Sequence, residues 1–190
     1  MSWTRSIALQ GAKEPARSIY ERIRAQSGAH RVANVWQSVA ADPGTLEALH
    51  ALYRTVMGAP APLSPGQAEG IAIVVSATNG CGYCVAHHGP KLAAALGDEP
   101  LARAVARDYR EANLPARDRV LFDYAVALSC EPSERTEEDV ERLREYGFDD
   151  DAILKATEIV ALYNLVNRVV SGLGVALEDG VEEWGFGTQK

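Results

Sequence analysis

The sequence predicts an all-α protein. Alanine and leucine are abundant, prolines fall at segment boundaries, and apolar residues recur at spacings of three and four, the period of a helix face. No stretch reads as a strong strand, and no low-complexity block interrupts the pattern. With 190 residues, 47 % apolar and 24 % charged, the chain can build one domain with a sizeable core. We read a single unit over 1–190: N-terminal helices at about 15–58, a central part at about 63–130, and C-terminal helices with a tail at about 136–190.

The elements follow in order. A helix from Pro15 to about Ser27 buries Ile19, Tyr20 and Ile23 and ends at Gly28. A second, Arg31 to Ala41, turns Val32, Val35, Trp36 and Val39 inward. Asp42-Pro43 stops it and opens a third helix to Met57, with Leu46, Leu49, Leu52, Tyr53 and Val56 on one side. After the linker 58–63, Ser64-Pro65-Gly66-Gln67 supplies an N-cap serine, an N1 proline and a capping-box glutamine. The following β-branched run to Ala77 could be a strand. The capping box and the lack of a pairing strand favour a buried helix. Thr78-Asn79-Gly80 breaks the chain, and Asn79 is read as the cap of a helix to Leu96. Further helices fit Pro100 to Ala112, Arg117 to Ser129, and Thr136 to Gly147. A long one follows from Asp149 or Asp150 to Ser171, its core stripe including Leu154, Ile159, Leu162, Leu165 and Val166. Gly172-Leu173-Gly174 ends that helix and is no phosphate loop. The tail beyond is expected on the surface or on a neighbouring subunit. Glu69 and Glu158 each precede an apolar helical run, a weak echo that a duplicated helix-pair core would explain.

Charge and targeting narrow the function classes. A net charge of −7 argues against nucleic acid as partner. No run approaches the length needed to span a bilayer, and the N-terminus has no hydrophobic signal core, so a cytoplasmic location is expected. Three cysteines are too few, and odd in number, for a secreted disulfide scaffold.

Chemistry concentrates in Glu69 to His88, which holds Cys81-Gly82-Tyr83-Cys84, His87 and His88. On a helix starting at Asn79, Cys81 lies in the first turn, where free N–H groups favour a thiolate. Cys84 shares its face and can close a disulfide, and His88, four residues on, can take the Cys84 proton directly or through a water. Glu69, a carboxylate in an apolar helix, could steer His88; the plainer reading is a solvated first-turn residue. The cysteines could equally be small buried hydrophobes. Zinc on Cys81, Cys84, His87 and His88 is the chemical competitor, weakened because adjacent histidines leave a helix on different sides. His87 reads as a supporting or interface group, His30 and His50 as structural residues on helices, and Cys130 as a buried thiol. Tyr163, with Trp36, Tyr53, Tyr109 and Tyr124, reads as packing.

Glu69, eleven intervening residues, Cys81-x-x-Cys84, three residues and His88 resemble the pattern of AhpD-like alkylhydroperoxidases, in the carboxymuconolactone decarboxylase superfamily. The similarity extends to Val75-Ser76-x-x-Asn79, to Val85-x-x-His88-Gly89, to Tyr163-Asn164-x-x-Asn167-Arg168 and to Gly172-Leu-Gly174-Val-x-Leu-Glu178, which together look like the uncharacterised peroxidase-related branch. This resemblance implies an AhpD-like helical fold assembling as dimers, trimers or hexamers. It implies a peroxidase or disulfide-reductase cycle without metal, haem or other cofactor. One cysteine attacks the peroxide of a small hydroperoxide substrate and the other resolves it. A lipoyl- or thioredoxin-type dithiol supplies the electrons, and Glu69 and His88 form a proton relay. Cys84 is favoured as the attacking sulfur because His88 is one turn away, with Cys81 its rival. Tyr83 stands where some members carry a histidine, implying a shorter relay or weaker activity. A disulfide reductase serving a peroxiredoxin, and a non-catalytic redox-sensing oligomeric module, are the alternatives.

Overall fold

The computed structural model describes residues 2–28, 30–58 and 61–187. Among them are nine α-helices, two single-turn 3-10 segments and no strand. The helices are α1 (Ala16–Ser27), α2 (Asn34–Val39), α3 (Pro43–Met57), α4 (Pro65–Thr78), α5 (Gly82–Leu96), α6 (Glu99–Asp108), α7 (Ala116–Cys130), α8 (Glu137–Glu145) and α9 (Asp150–Leu173).

Helix α4 is the centre. Ser64 Oγ accepts from the Gln67 N–H and the Gln67 side chain accepts from the Ser64 N–H, the reciprocal cap the sequence suggests. From Ile71 to Thr78 every residue is buried, because α5, α6, α7 and α9 pack around it. A helix walled on all sides needs no polar stripe, which is why this run looked equally like a core strand. At Gly70 α7 comes close: a Cβ there would lie 2.3 Å from the Phe122 ring. Helices α4 and α5 form a tight antiparallel pair. Gly80 takes the left-handed conformation (φ 70°), and the Cys81 N–H donates back to the Ser76 carbonyl at 2.8 Å.

Several expectations shift. Asn79 does not cap α5; it ends α4, and its amide is drawn to Asn164 Oδ1 and Asn167 Oδ1 on α9 (3.1 and 3.0 Å). Cys81 takes the N-cap position instead, which puts Cys84, at N3, in the first turn. Helix α2 begins only at Asn34, whose N–H and side chain are held by the tail at Glu178 and Ala176. Pro90 sits inside α5, an exception to the boundary rule. Leu52, Leu154 and Leu165 are 43 %, 59 % and 45 % exposed: an apolar helix presents more apolar residues than one contact can cover. Cys130 is exposed, since it is the last residue of α7. His30 lies exposed in a bend outside any helix, and His50 stacks edge-on to Trp36. The echo between Glu69 and Glu158 has no structural counterpart, because Glu158 pairs with Lys155 on a half-exposed face of α9.

The tail folds back on its own chain. Gly174 caps α9 with φ 59°, Val175 and Trp184 are buried, and the Gly187 N–H donates to the Ala106 carbonyl. Gly89 on α5 leaves the seat for Trp184, whose ring would stand 2.2 Å from a Cβ there; Arg103 covers the ring from outside at 4.3 Å. No helix among the described residues is long and apolar enough to cross a membrane.

Candidate active site

The α4–α5 pair positions the polar groups. Ser76–Cys81 and Glu69–His88 are symmetric about the same point of the connecting turn, so residues nineteen apart meet across two antiparallel helices. His88 Nδ1 lies 2.6 Å from Glu69 Oε2, and the Tyr163 hydroxyl, from α9, lies 2.8 Å from His88 Nε2. Tyr163 stands edge-on to the imidazole at 4.9 Å between centroids.

The electrostatics assign the protons. Burial is the largest influence on His88 and pulls it below its ordinary value, outweighing the Glu69 charge that raises it. Burial pushes the Glu69 carboxyl up, but the His88 charge and hydrogen bond, then Lys91, leave it below the ordinary range. The burial of His88 is nearly complete, so we take neutral imidazole beside ionised Glu69 as the state at neutral pH. Nδ1–H then donates to Glu69, and Nε2 accepts from Tyr163, whose phenol burial holds well above its usual value. The same phenol feels the charge of Cys84.

The two thiols are buried, reduced and 3.0 Å apart. Either can donate to the other. The Cys84 thiol donating to it is the main influence that lowers Cys81, opposed by burial and helped by the Cys84 N–H and the Asn167 amide. The contact with Cys81, and then burial, push Cys84 well up. The first proton lost therefore belongs to the pair. Beneath the thiols, Asn167 Nδ2 donates to Ser76 Oγ at 3.0 Å, both side chains buried. Cys84, His88, Tyr83, His87 and Tyr163 line one cavity of about 600 Å³, whose lining does not include Cys81.

His87 and His88 diverge. His87 Nε2 meets Glu178 Oε2 of the tail at 2.7 Å, while Tyr83 donates to Glu178 Oε1 at 2.8 Å and accepts from the Val35 N–H at 3.2 Å. The zinc set of Cys81, Cys84, His87 and His88 therefore does not converge, because the two imidazoles serve carboxylates on different elements. Burial pushes Glu178 up, yet the His87, Asn34 and Tyr83 hydrogen bonds bring it from 4.5 down to about 2. Its folded value lies below its unfolded one, so the stabilisation is complete above about pH 4.5 and is lost as pH falls toward 2. Replacing Glu178 by Gln should lower stability at pH 7 by about 1–3 kcal/mol. In urea unfolding at pH 7 and pH 3.5, the gap from wild type should narrow at the lower pH.

Three residues of this site are assigned no role by sequence reasoning: Tyr163, Asn167 and Glu178. Tyr163 and Asn167 share a face of α9 at i, i+4, and Asn167 is a polar residue at a core position, the one local signal that could have marked them.

The α4–α5 region falls within a match to the carboxymuconolactone decarboxylase family model over residues 43–107. Two solved structures align over nearly the whole chain. One is an alkylhydroperoxidase AhpD core, uncharacterized peroxidase-related protein from Ralstonia eutropha JMP134. It is 30 % identical, with TM-score 0.84 and coverage of 94 % of this chain and 93 % of that one. The other is an uncharacterized peroxidase-related protein from Silicibacter sp. TM1040, 31 % identical, with TM-score 0.82 and 93 % of each chain covered. The chain belongs to the AhpD-like family of the carboxymuconolactone decarboxylase superfamily. The AhpD-like fold also relates it to the debrominase Bmp8, solved in complex with 2,3,4-tribromopyrrole, at 18 % identity, TM-score 0.76 and coverage of 93 % and 92 %. At that identity only the fold is shared. Among curated proteins none matches this AhpD-like chain.

Proposed function

We propose that this AhpD-like protein is a thiol peroxidase that reduces hydroperoxides through a Cys81/Cys84 dithiol–disulfide cycle. The observation that carries the reading is a 3.0 Å thiol pair, one residue of which lines a cavity, beside the buried chain Glu69–His88–Tyr163. Cys84 is the attacking sulfur because it lines the cavity. One proton leaves the pair to His88 by way of Tyr163, with Glu69 holding the imidazolium, and the proton that remains passes from Cys84 to Cys81. The Cys84 thiolate attacks the distal peroxide oxygen and the O–O bond breaks. The alkoxide takes a proton from His88 and leaves as alcohol, and Cys84 becomes a sulfenic acid. Cys81 then displaces hydroxide, which leaves as water after protonation, and the S–S bond forms. A thin dithiol donor of lipoyl type returns both sulfurs to thiols and leaves as its own disulfide.

Burial of both cysteines favours a small or thin reactant over a protein disulfide, and so favours peroxide reduction over service to a peroxiredoxin. Self-association would give Leu154 and Leu165 on α9 a partner surface. The test is mass mapping of thiols before and after one equivalent of cumene hydroperoxide, in a Cys130→Ser background because Cys130 is exposed. The expected product is an intramolecular Cys81–Cys84 disulfide, opened again by dihydrolipoamide. Both thiols remaining free would sink the proposal.

A further inference from the structure

We infer that the cavity beside Cys84 selects organic hydroperoxides that carry an anionic head, such as a carboxylate, on an apolar or aromatic body. The inference rests on the peroxidase reading for its chemistry and on separate observations for its specificity. The cavity, about 600 Å³, has the size of a pocket for a small organic molecule, roughly 300–1,000 Å³, far above what hydrogen peroxide fills. Much of its wall is apolar or aromatic: Ile23, Val35, Trp36, Tyr53 and Val166.

Its charge has the opposite sign to that of the molecule. In a chain of net charge −7, three cations line this one cavity: Arg31, Arg54 and Lys91. None of them belongs to an ion pair found among the described residues. Arg31 donates to the Asp179 carbonyl and the Lys91 ammonium donates to the Tyr53 hydroxyl at 3.0 Å; Lys91 also feels the charge of Glu69, whose hydrogen bond goes to His88. The carboxylate of the lining, Glu178, is already committed to His87, Tyr83 and Asn34. Cations with no salt-bridge partner around a low-dielectric cavity focus field lines and draw in an anion.

The spacing fits a molecule of moderate length. Cys84, His88 and Lys91 fall at i, i+4 and i+7 on α5, on one face, and all three line the cavity. At 1.5 Å per residue Lys91 lies about 10 Å along the helix from Cys84. A hydroperoxide at the sulfur and a carboxylate at the ammonium would thus be separated by one ring or a short alkyl chain. Lys91 and Arg54 are both exposed, so they meet the anion at the mouth, while Cys84 lies buried at the other end.

The test compares the para-carboxylate of cumene hydroperoxide with its methyl ester, on the whole protein with dihydrolipoamide as reductant. The carboxylate should be used with kcat/KM roughly tenfold higher, mostly through KM, the size expected of a charged hydrogen bond. That preference should shrink with added salt in the wild type, and collapse toward one in Lys91→Gln and in the Arg54→Met, Lys91→Met double variant. Equal use of the two compounds at low salt, or preference for the ester, overturns the inference while leaving the peroxidase reading intact. If neither compound is reduced, the peroxidase reading fails, and calorimetry with para-isopropylbenzoate against its amide decides the anion site alone. Roughly tenfold tighter binding of the carboxylate, lost in the double variant, sustains the site; equal binding overturns it.

Discussion

Replacing Cys84 by Ser is expected to abolish hydroperoxide consumption, while Cys81→Ser should carry out a single turnover and stop. The asymmetry comes from position. Cys84 lines the cavity and Cys81 does not, although Cys81 is the sulfur whose thiolate the pair stabilises more. A proton shift across the 3.0 Å contact reconciles the two, moving the negative charge to Cys84 without changing the charge of the pair. In Cys84→Ser the remaining thiolate has no path to the peroxide, and steady-state turnover should fall by at least about 10³-fold, as for the loss of a covalent nucleophile. In Cys81→Ser the attack proceeds and the sulfenic acid persists, because no thiol is near enough to condense with it. Dimedone labelling and intact mass after one equivalent of peroxide would read one adduct at Cys84 in that variant. An adduct on Cys81 in Cys84→Ser, with turnover retained, would reverse the assignment.

Tyr163→Phe should slow oxidation of the thiol pair by roughly 10²-fold at pH 7 while leaving the fold in place. The ring that packs edge-on to His88 remains, and only the hydroxyl 2.8 Å from Nε2 is lost. A purely structural role would leave the pH dependence alone. A relay role would not: without the phenol, deprotonation falls to solvent hydroxide, so the variant's rate should climb steeply between about pH 7 and pH 9 and approach wild type. In the wild type burial keeps His88 below its ordinary value, so the base is already neutral at pH 7 and the rate should be nearly flat there. Stopped-flow fluorescence of reduced protein mixed with cumene hydroperoxide, from pH 6 to 9, separates the two. A flat, parallel profile in Tyr163→Phe would remove the tyrosine from the relay.

What was legible in the sequence followed from local rules. The helix starting at Ser64 announced itself because its cap is built from four consecutive residues. Glu69 stood out as a carboxylate in an apolar helix, where it needs a partner, and His88 because it falls one turn beyond Cys84. Tyr163 was hidden for the opposite reason. An aromatic at core spacing looks like packing, and its hydroxyl gains meaning only where α9, packed on α4, brings it to His88, a contact no local pattern encodes. Asn79 misled because an asparagine between two helices can end one or begin the next. The choice was made by two asparagines on α9, eighty-five and eighty-eight positions away. Leu154 and Leu165 fit the helical period as well as their buried neighbours do, since periodicity ranks faces and does not measure how wide the covered stripe is.

The symmetric pairing of Ser76 with Cys81 and Glu69 with His88 makes the α4–α5 turn a ruler. A residue added or removed at 79–81 would break the bond from the Cys81 N–H to the Ser76 carbonyl and shift α5 against α4. Cys84, His88 and Lys91 would all leave the cavity wall together, because they ride one face. Side chains around the turn can be exchanged one at a time, whereas a change in its length would displace the thiols, the base and the proposed anion contact in a single step.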